Sequence, residues 1–123
     1  METSTLERWV AAYVRAWESN APDEIAALFT EDARYFTSPA ADPWQGRDEI
    51  VAKWLEAKDE PGTWTFRSEI LAVADGIGFV RGWATYRNPP TPYHNLWVIR
   101  FGADGRCREF TEWWMEERTG ETP

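Results

Sequence analysis

Glu112 is the side chain of this sequence with the clearest capacity for chemistry, because it stands directly before Trp113 and Trp114. A carboxylate enclosed by aromatic rings is poorly solvated, so its pKa rises and it can act as an acid or a base near neutral pH. Two structural alternatives stay open for it: an ion pair with Arg100 or Arg108, or plain exposure after a strand bulge. The first hypothesis is therefore general acid–base chemistry at Glu112.

Other reactive side chains are few. One histidine, His94, and one cysteine, Cys107, cannot supply the nitrogen and sulfur clusters that transition metals favour, so we expect no metal site. The sequence has no glycine-rich loop of the kind that cradles phosphates, and we expect no cofactor. Cys107 is predicted to be a small buried residue, since a nucleophilic thiol needs a neighbouring base.

Charge and composition exclude several classes of protein. The chain has 123 residues, with 13 Lys+Arg against 21 Asp+Glu and a formal net charge of -8. A surface this acidic repels nucleic acids and anionic membranes. No apolar stretch approaches the roughly 20 residues that span a bilayer, and the start METSTLERW lacks the layout of a secretory signal. With a single cysteine, the sequence predicts one cytoplasmic domain over residues 1–123.

Aromatic residues are unusually frequent, with nine Trp, six Phe and four Tyr. Each such ring can bury about 150–250 Å², which is more than a small core usually needs. We expect some of the rings to line a cavity or a subunit interface, while simple core filling remains the alternative for each of them.

The elements that must position these side chains form an α+β pattern. Helices are predicted at about 4–19 (opened by a capping box of Ser4 and Glu7), from Pro22, and at about 47–58. A short strand is predicted at 33–37, a loop at 39–46, and long antiparallel strands at about 63–74, 77–88, 93–101 and 106–116. The tail at 119–123 should fray. A curved sheet closing over three helices would leave a cone with an internal pocket.

Five motifs carry a resemblance to a known family. They are LFTEDARY at 28–35, GRDEI at 46–50, WVIRF at 97–101, ADGRC at 103–107 and EWW at 112–114. In this order and spacing the chain resembles the nuclear transport factor 2-like superfamily and, within it, the SnoaL-like group. The resemblance implies a cystatin-like roll, in which a cone-shaped antiparallel sheet packs on three helices. It also implies an apolar pocket and a homodimer through the outer face of the sheet.

The same resemblance assigns roles to single positions. Ketosteroid isomerases of this superfamily carry an oxyanion-binding tyrosine that matches Tyr13, but their two carboxylates match Thr37 and Trp97, so steroid isomerisation is not expected. Limonene epoxide hydrolases, on a similar fold, use a last-strand carboxylate that matches Glu112. Their partner Arg and Asp would fall near Asn95 and Trp97, so that constellation is incomplete as well.

Strand alternation completes the predicted site. If Trp97 faces the cavity, Tyr93 and Asn95 do too and His94 faces away, unless a bulge near Pro92 reverses the order. Glu112 would transfer a proton, with Tyr13 and Asn95 stabilising oxyanion charge; a ring of the core is the alternative for Tyr13. The predicted ligand-binding residues are Trp17, Thr37, Trp54, Tyr86, Trp97, Phe110 and Trp114.

The predicted ligand is a small apolar or aromatic molecule, and the predicted reaction is a cofactor-free isomerisation, cyclisation, dehydration or hydrolysis. The alternative is a non-catalytic module of the same fold that binds a ligand or only dimerises. Docking of a partner protein is a third alternative, although no surface of the sequence marks a particular partner.

Overall fold

The computed structural model describes residues 1–117, so the tail at 119–123 that was predicted to fray lies outside them. The helices are α1 (Thr3–Ser19), α2 (Pro22–Ala26) and α3 (Arg47–Glu56). The strands are β1 (Phe29–Phe36), β2 (Trp44–Gln45), β3 (Trp64–Ala74), β4 (Ile77–Arg87), β5 (Pro90–Phe101) and β6 (Cys107–Glu116). The predicted α+β architecture, with helices first and a meander after them, is confirmed.

Helix α1 presents one apolar stripe to the sheet. Its buried residues recur at helical spacing and are Leu6, Trp9, Val10, Tyr13 and Ala16. The predicted capping box is wrong, because the helix already begins at Thr3 and its N-cap residue, Glu2, makes no side-chain cap. The helix ends where Asn20 takes the left-handed conformation (φ 53) and donates its backbone N–H to the Ala16 carbonyl at 2.7 Å.

The six strands form one sheet in the order β2-β1-β6-β5-β4-β3. Strands β3 to β6 pair antiparallel as predicted, whereas β1 pairs parallel with β6, and the two-residue β2 lies within the segment that was predicted to be a loop. Sequence patterns report the alternation within a strand but not its partner, so the parallel pair was not predicted.

The sheet bends over the helices and buries its inner face against them. Extra residues in the strand pairing, Leu71 in β3 and Arg108 in β6, mark irregularities of the kind that bend strands. The Asp75-Gly76 turn joins β3 to β4 with both residues at positive φ (52 and 75), as the predicted tight hairpin requires. The largest side chains of the core include Trp97, Phe29 and Phe110.

Gly78 on β4 allows α1 to lie directly on the sheet. A Cβ atom at this position would approach Cδ1 and Cδ2 of Leu6 to 2.7 and 2.8 Å, and the Leu6 side chain is fully buried. Gly78→Ala is therefore expected to destabilise the fold by roughly 1–3 kcal/mol through overpacking. Urea denaturation measures this, with Ser68→Ala as the exposed strand control, expected within about 0.5 kcal/mol of the parent. A Gly78→Ala protein as stable as the control would show that the contact is not tight.

A candidate active site built around Glu112

An aromatic cavity of about 340 Å³ opens between the inner face of the sheet, helices α1 and α3, and the loop after α3. Nine of the side chains on its wall are aromatic: Tyr13, Trp17, Tyr35, Trp44, Trp54, Tyr86, Tyr93, Trp97 and Trp114. The remaining lining residues are Ala57, Lys58, Asp59, Ala84, Asn95 and Glu112. A small ring system can therefore enter a space with mostly aromatic walls and few polar groups.

Glu112 lies on β6 directly opposite Trp97 of β5 and lines this cavity. The indole Nε1–H of Trp97 donates to Glu112 Oε1 at 3.0 Å, and Asn95 Nδ2 donates to Oε2 at 3.3 Å. These two contacts hold the carboxyl group in place with neutral donors only. Both donors come from the neighbouring strand, so the backbone register of β5 and β6 fixes the arrangement.

No ion pair of residues 1–117 includes Glu112. Arg100, the partner in one of the structural alternatives, places its Nε 3.1 Å from Oε2 of Glu109, and Arg34 also pairs with Glu109. Arg108 is exposed. Arg34 and Arg100 thus pair with Glu109, whereas Glu112 lines the cavity with no ion-pair partner among residues 1–117.

Burial raises the pKa of Glu112 from 4.5 to about 7, and the hydrogen bonds from Trp97 and Asn95 only partly offset that rise. Desolvation penalises the charged form of a carboxyl group. The two neutral donors stabilise the charged form, but by less than desolvation destabilises it. Both protonation states are therefore populated at neutral pH, which is the condition under which one group can both accept and return a proton.

Asn95 provides a partner for either protonation state. It is 8% exposed, and its Oδ1 has no hydrogen-bond partner among residues 1–117. With an ionised Glu112, the amide donates through Nδ2 as described. When Glu112 is protonated, a half-turn of the amide brings Oδ1 to the carboxyl O–H, because an amide offers a donor and an acceptor at similar positions.

A pair of tyrosine hydroxyls lies on the helix side of the cavity. The hydroxyl oxygens of Tyr13 and Tyr35 are 2.7 Å apart, and the Tyr13 ring packs against Trp97 with centroids 4.6 Å apart. Burial raises the pKa of both hydroxyls well above the ordinary value, so both remain protonated at neutral pH. Tyr13 thus contributes its ring to the core and its hydroxyl to a polar pair.

Tyr13→Phe is expected to destabilise the protein by about 1–3 kcal/mol, because Tyr35 then keeps a buried hydroxyl without its partner. Replacing both tyrosines by phenylalanine removes the unpaired group and should recover most of that loss. A double-mutant cycle by chemical denaturation measures the coupling. Additive losses in the double variant would contradict a hydrogen bond between the two hydroxyls.

Asp59, in the loop after α3, is a second carboxyl group on the cavity wall. Its Oδ2 accepts hydrogen bonds from Trp17 Nε1 at 3.0 Å and from the Tyr86 hydroxyl at 2.9 Å. Its backbone carbonyl accepts from Asn20 Nδ2 at 3.0 Å, which ties the loop to the end of α1. These bonds join a helix, a loop and a strand around the cavity wall.

The structure places most of the predicted site residues together. Those that line the cavity are Glu112, Tyr13, Asn95, Trp17, Trp54, Tyr86, Trp97 and Trp114. Thr37 does not: β1 ends at Phe36, so Thr37 falls in an exposed bend after the strand. Phe110 does not either, because it is fully buried in the core behind Tyr13. His94 lies on the outer face, with Nδ1 2.6 Å from Arg81 Nη2.

Several cavity residues were missing from the predicted site. Ala33 and Tyr35 are both buried, as the alternation of side chains in β1 requires for residues two apart. This alternation could have indicated that Tyr35 faces inward. Tyr93 shared the predicted inward face. Trp44 lies in the two-residue strand β2, which is too short to show alternation, and Lys58 and Asp59 lie in the loop after α3, where no periodic pattern indicates direction.

The predicted burial of Cys107 is confirmed. Cys107 is fully buried, and burial raises the pKa of its thiol far above the usual range, so it is not a reactive thiolate. Residues 1–117 contain no group of three or more His, Cys, Asp or Glu arranged to hold a metal ion. In the same part of the chain, no helix has both the length and the apolar character needed to cross a membrane.

Several solved structures share the fold of this chain. The fold matches a candidate ketosteroid isomerase from Kribbella flavida (TM-score 0.73, 21% identity, 98% of this chain and 84% of that one). It also matches an NTF-2-like protein of unknown function from Burkholderia xenovorans, with a TM-score of 0.77 and 15% identity over 100% of this chain and 91% of that one. A third match is a ketosteroid isomerase-like protein from Erwinia carotovora, with a TM-score of 0.64 and 18% identity over 91% of this chain and 95% of that one. At these identities the matches show a shared nuclear transport factor 2-like fold.

A family model matches the sequence of this chain. The profile of the SnoaL-like domain matches residues 10–110, and the chain belongs to this family. No curated protein sequence matches the chain. The expected family and cone fold are confirmed.

Proposed function

We propose that the cavity binds a small apolar or aromatic molecule and that Glu112 transfers a proton to or from it. The observation that carries this proposal is a carboxyl group on the wall of an aromatic cavity, without a cationic partner, whose pKa burial raises to about 7. A group of this kind ionises within the physiological range and keeps little of the hydration that weakens a carboxylate base in water.

The other polar groups have supporting roles in this proposal. Either hydroxyl of the Tyr13 and Tyr35 pair can be the donor to the other, which leaves one O–H free for an oxygen of the ligand. Donation to an oxygen that gains negative charge would stabilise an enolate or alkoxide. Asn95 and Trp97 hold the carboxyl group in place and are positioning residues in this scheme.

Steroid isomerisation is not the proposed reaction, although two of the structural neighbours are described as isomerase-type proteins. The positions that match the isomerase carboxylates hold Thr37 and Trp97, and Thr37 is exposed outside the cavity. Glu112 reaches the cavity from β6 instead. Cofactor-free isomerisation, cyclisation, dehydration and hydrolysis can all use such a group as acid or base, and these are the proposed reaction types.

A generic probe tests proton abstraction without knowledge of the natural substrate. A desolvated carboxylate removes the C3 proton of 5-nitrobenzisoxazole, the ring N–O bond breaks, and coloured 2-cyano-4-nitrophenolate forms. We expect saturable turnover by the native protein, rising with pH to a plateau with a midpoint at about 7 as Glu112 ionises. Turnover without that midpoint would contradict the role of Glu112. Saturable binding without turnover would favour the non-catalytic alternative.

We further propose that a second copy of the chain covers the outer face of the sheet. Apolar side chains concentrate there, and Trp113 and Met115 on β6 are 48% and 67% exposed. The same face carries both signs of charge, including Arg67 and Glu69, which suits a twofold interface that meets its own copy. The expected compartment is the cytoplasm, as the single cysteine indicates.

Trp113→Glu tests the dimer, since it places a charge in the middle of the proposed interface without changing the cavity wall. Sedimentation equilibrium should give the mass of two chains for the native protein and of one for the variant. A native protein that sediments as a monomer over the micromolar range would contradict this assembly.

A further inference from the structure

The aromatic rings of the outer face contact arginine side chains, whereas those of the cavity do not among residues 1–117. On the outer face, two arginines contact the ring of Trp83, with the guanidinium carbons of Arg67 and Arg81 at 3.9 and 4.1 Å from the ring centroid. Among residues 1–117, the only other cation–ring contact is that of Arg34 with Phe36. No aromatic ring of the cavity is therefore covered by a cation from this part of the chain.

The charges on the cavity wall are also unbalanced. Two carboxyl groups, Glu112 and Asp59, share the wall with one cationic side chain, Lys58, which is exposed. Hydrogen bonds from neutral donors hold both acidic groups: two on Glu112, and those of Trp17 and Tyr86 on Asp59. The other titratable groups on the wall are the tyrosines 13, 35, 86 and 93.

Aromatic faces together with a carboxylate recognise organic cations. The face of a ring is electrostatically negative, and a cation within about 6 Å of its centre is attracted more strongly when water is excluded. A carboxylate adds a charge-assisted hydrogen bond when the cation carries N–H groups. Tyr93 and Trp114 form an edge-to-face corner, with centroids 5.8 Å apart, beside Asn95 and Glu112 on the same two strands.

We propose that the ligand of this cavity is a protonated amine, with an ammonium group directed at Glu112 and an aromatic or alicyclic body between the rings. This inference rests on the proposed function and narrows its ligand class from any small aromatic molecule to a cationic one. The ligand's ammonium group would place a positive charge beside Glu112, which has no cationic partner among residues 1–117.

Three ligands that share one ring system and differ in charge test this inference. Naphthalene-1-methylamine, naphthalene-1-methanol and naphthalene-1-carboxylate carry a cationic, a neutral and an anionic group. Isothermal titration calorimetry at about pH 8, where Glu112 is largely ionised, should rank them in that order. We expect the ammonium ligand to bind about 10-fold more tightly than the alcohol. Glu112→Gln should abolish this preference.

Each outcome decides between the two proposals. Equal or tighter binding of the alcohol in the native protein would overturn the cationic ligand and leave small-molecule binding standing. An ammonium preference that survives in Glu112→Gln would also overturn it, since Glu112 would then not be the group that recognises the charge. If none of the three ligands binds, both the cationic ligand and the aromatic-ligand function are contradicted. Glu109→Gln, on the opposite face of β6, is the matched control and should keep the preference.

Discussion

Replacing Glu112 by glutamine is expected to lower kcat/KM for 5-nitrobenzisoxazole by about 10²-fold or more, which is the contribution of a positioned general base. The introduced glutamine has nearly the shape of the glutamate and can still accept the Trp97 N–H. The amide N–H₂ of the glutamine would face Nδ2 of Asn95, which is also a donor. Rotating the Asn95 side-chain amide by half a turn presents Oδ1 as an acceptor instead, and this oxygen has no partner among the described residues. The loss would therefore report the missing base rather than a disturbed cavity.

Glu109→Gln is the matched control for this loss. Glu109 lies on the same strand but on the opposite face, where it pairs with Arg34 and Arg100. Its substitution removes partly exposed ion pairs, which contribute little, and should leave turnover near the native value. Equal rates in the native protein and in Glu112→Gln would show that the probe reacts elsewhere.

The same Glu112→Gln substitution is expected to stabilise the protein at alkaline pH. Burial raises the pKa of Glu112 from 4.5 to about 7, and each pKa unit corresponds to about 1.4 kcal/mol. The ionised side chain therefore costs the fold on the order of 3 kcal/mol, which an uncharged glutamine avoids. A substitution that removes activity while raising stability is a known consequence of placing a charge in a poorly solvated site.

The sign of the pH dependence follows from the direction of the pKa change. Between about pH 4.5 and 7, the unfolded chain has released this proton while the folded chain still holds it. Stability from Glu112 therefore falls as pH rises through this range, and it levels off above about 7. The gain from Glu112→Gln should be small in mildly acidic solution and largest at about pH 8.

Urea denaturation of both proteins at several values between about pH 5.5 and 8.5 measures this gain, because the titration of all other groups cancels in the difference. The sequence pI of about 4.6 makes lower pH unsuitable, since proteins associate near zero net charge. A gain that does not change with pH, or a destabilised Glu112→Gln, would contradict the buried, cation-free environment of the carboxyl group.

Patterns within single elements allowed much of the cone to be predicted. The stripe of Leu6, Trp9, Val10 and Tyr13 indicated the buried face of α1, and strand alternation placed Asn95 and Trp97 on one face of β5. These predictions depend only on the periods of helices and strands, which are local properties. The family and the fold class were predicted from ordered motifs and are confirmed by the domain match and the structural neighbours.

Features that depend on long-range geometry were not predictable in this way. The parallel pairing of β1 with β6 joins segments far apart in sequence, and the end of β1 at Phe36 turns Thr37 away from the cavity. Asp59 reaches the wall from a loop whose path depends on its bond to Asn20. Loops carry no period from which the direction of a side chain could be read.

The ionisation of Glu112 itself is the most direct test of the proposed chemistry. Carbon-13 NMR of protein labelled at the glutamate carboxyl groups follows each titration, and Glu112→Gln assigns the resonance by its absence. The predicted result is one glutamate that titrates at about 7, well above the ordinary value of 4.5. A Glu112 resonance that titrates near 4.5 would mean a solvated or charge-paired carboxylate, and the acid–base function proposed for this cavity would then be contradicted.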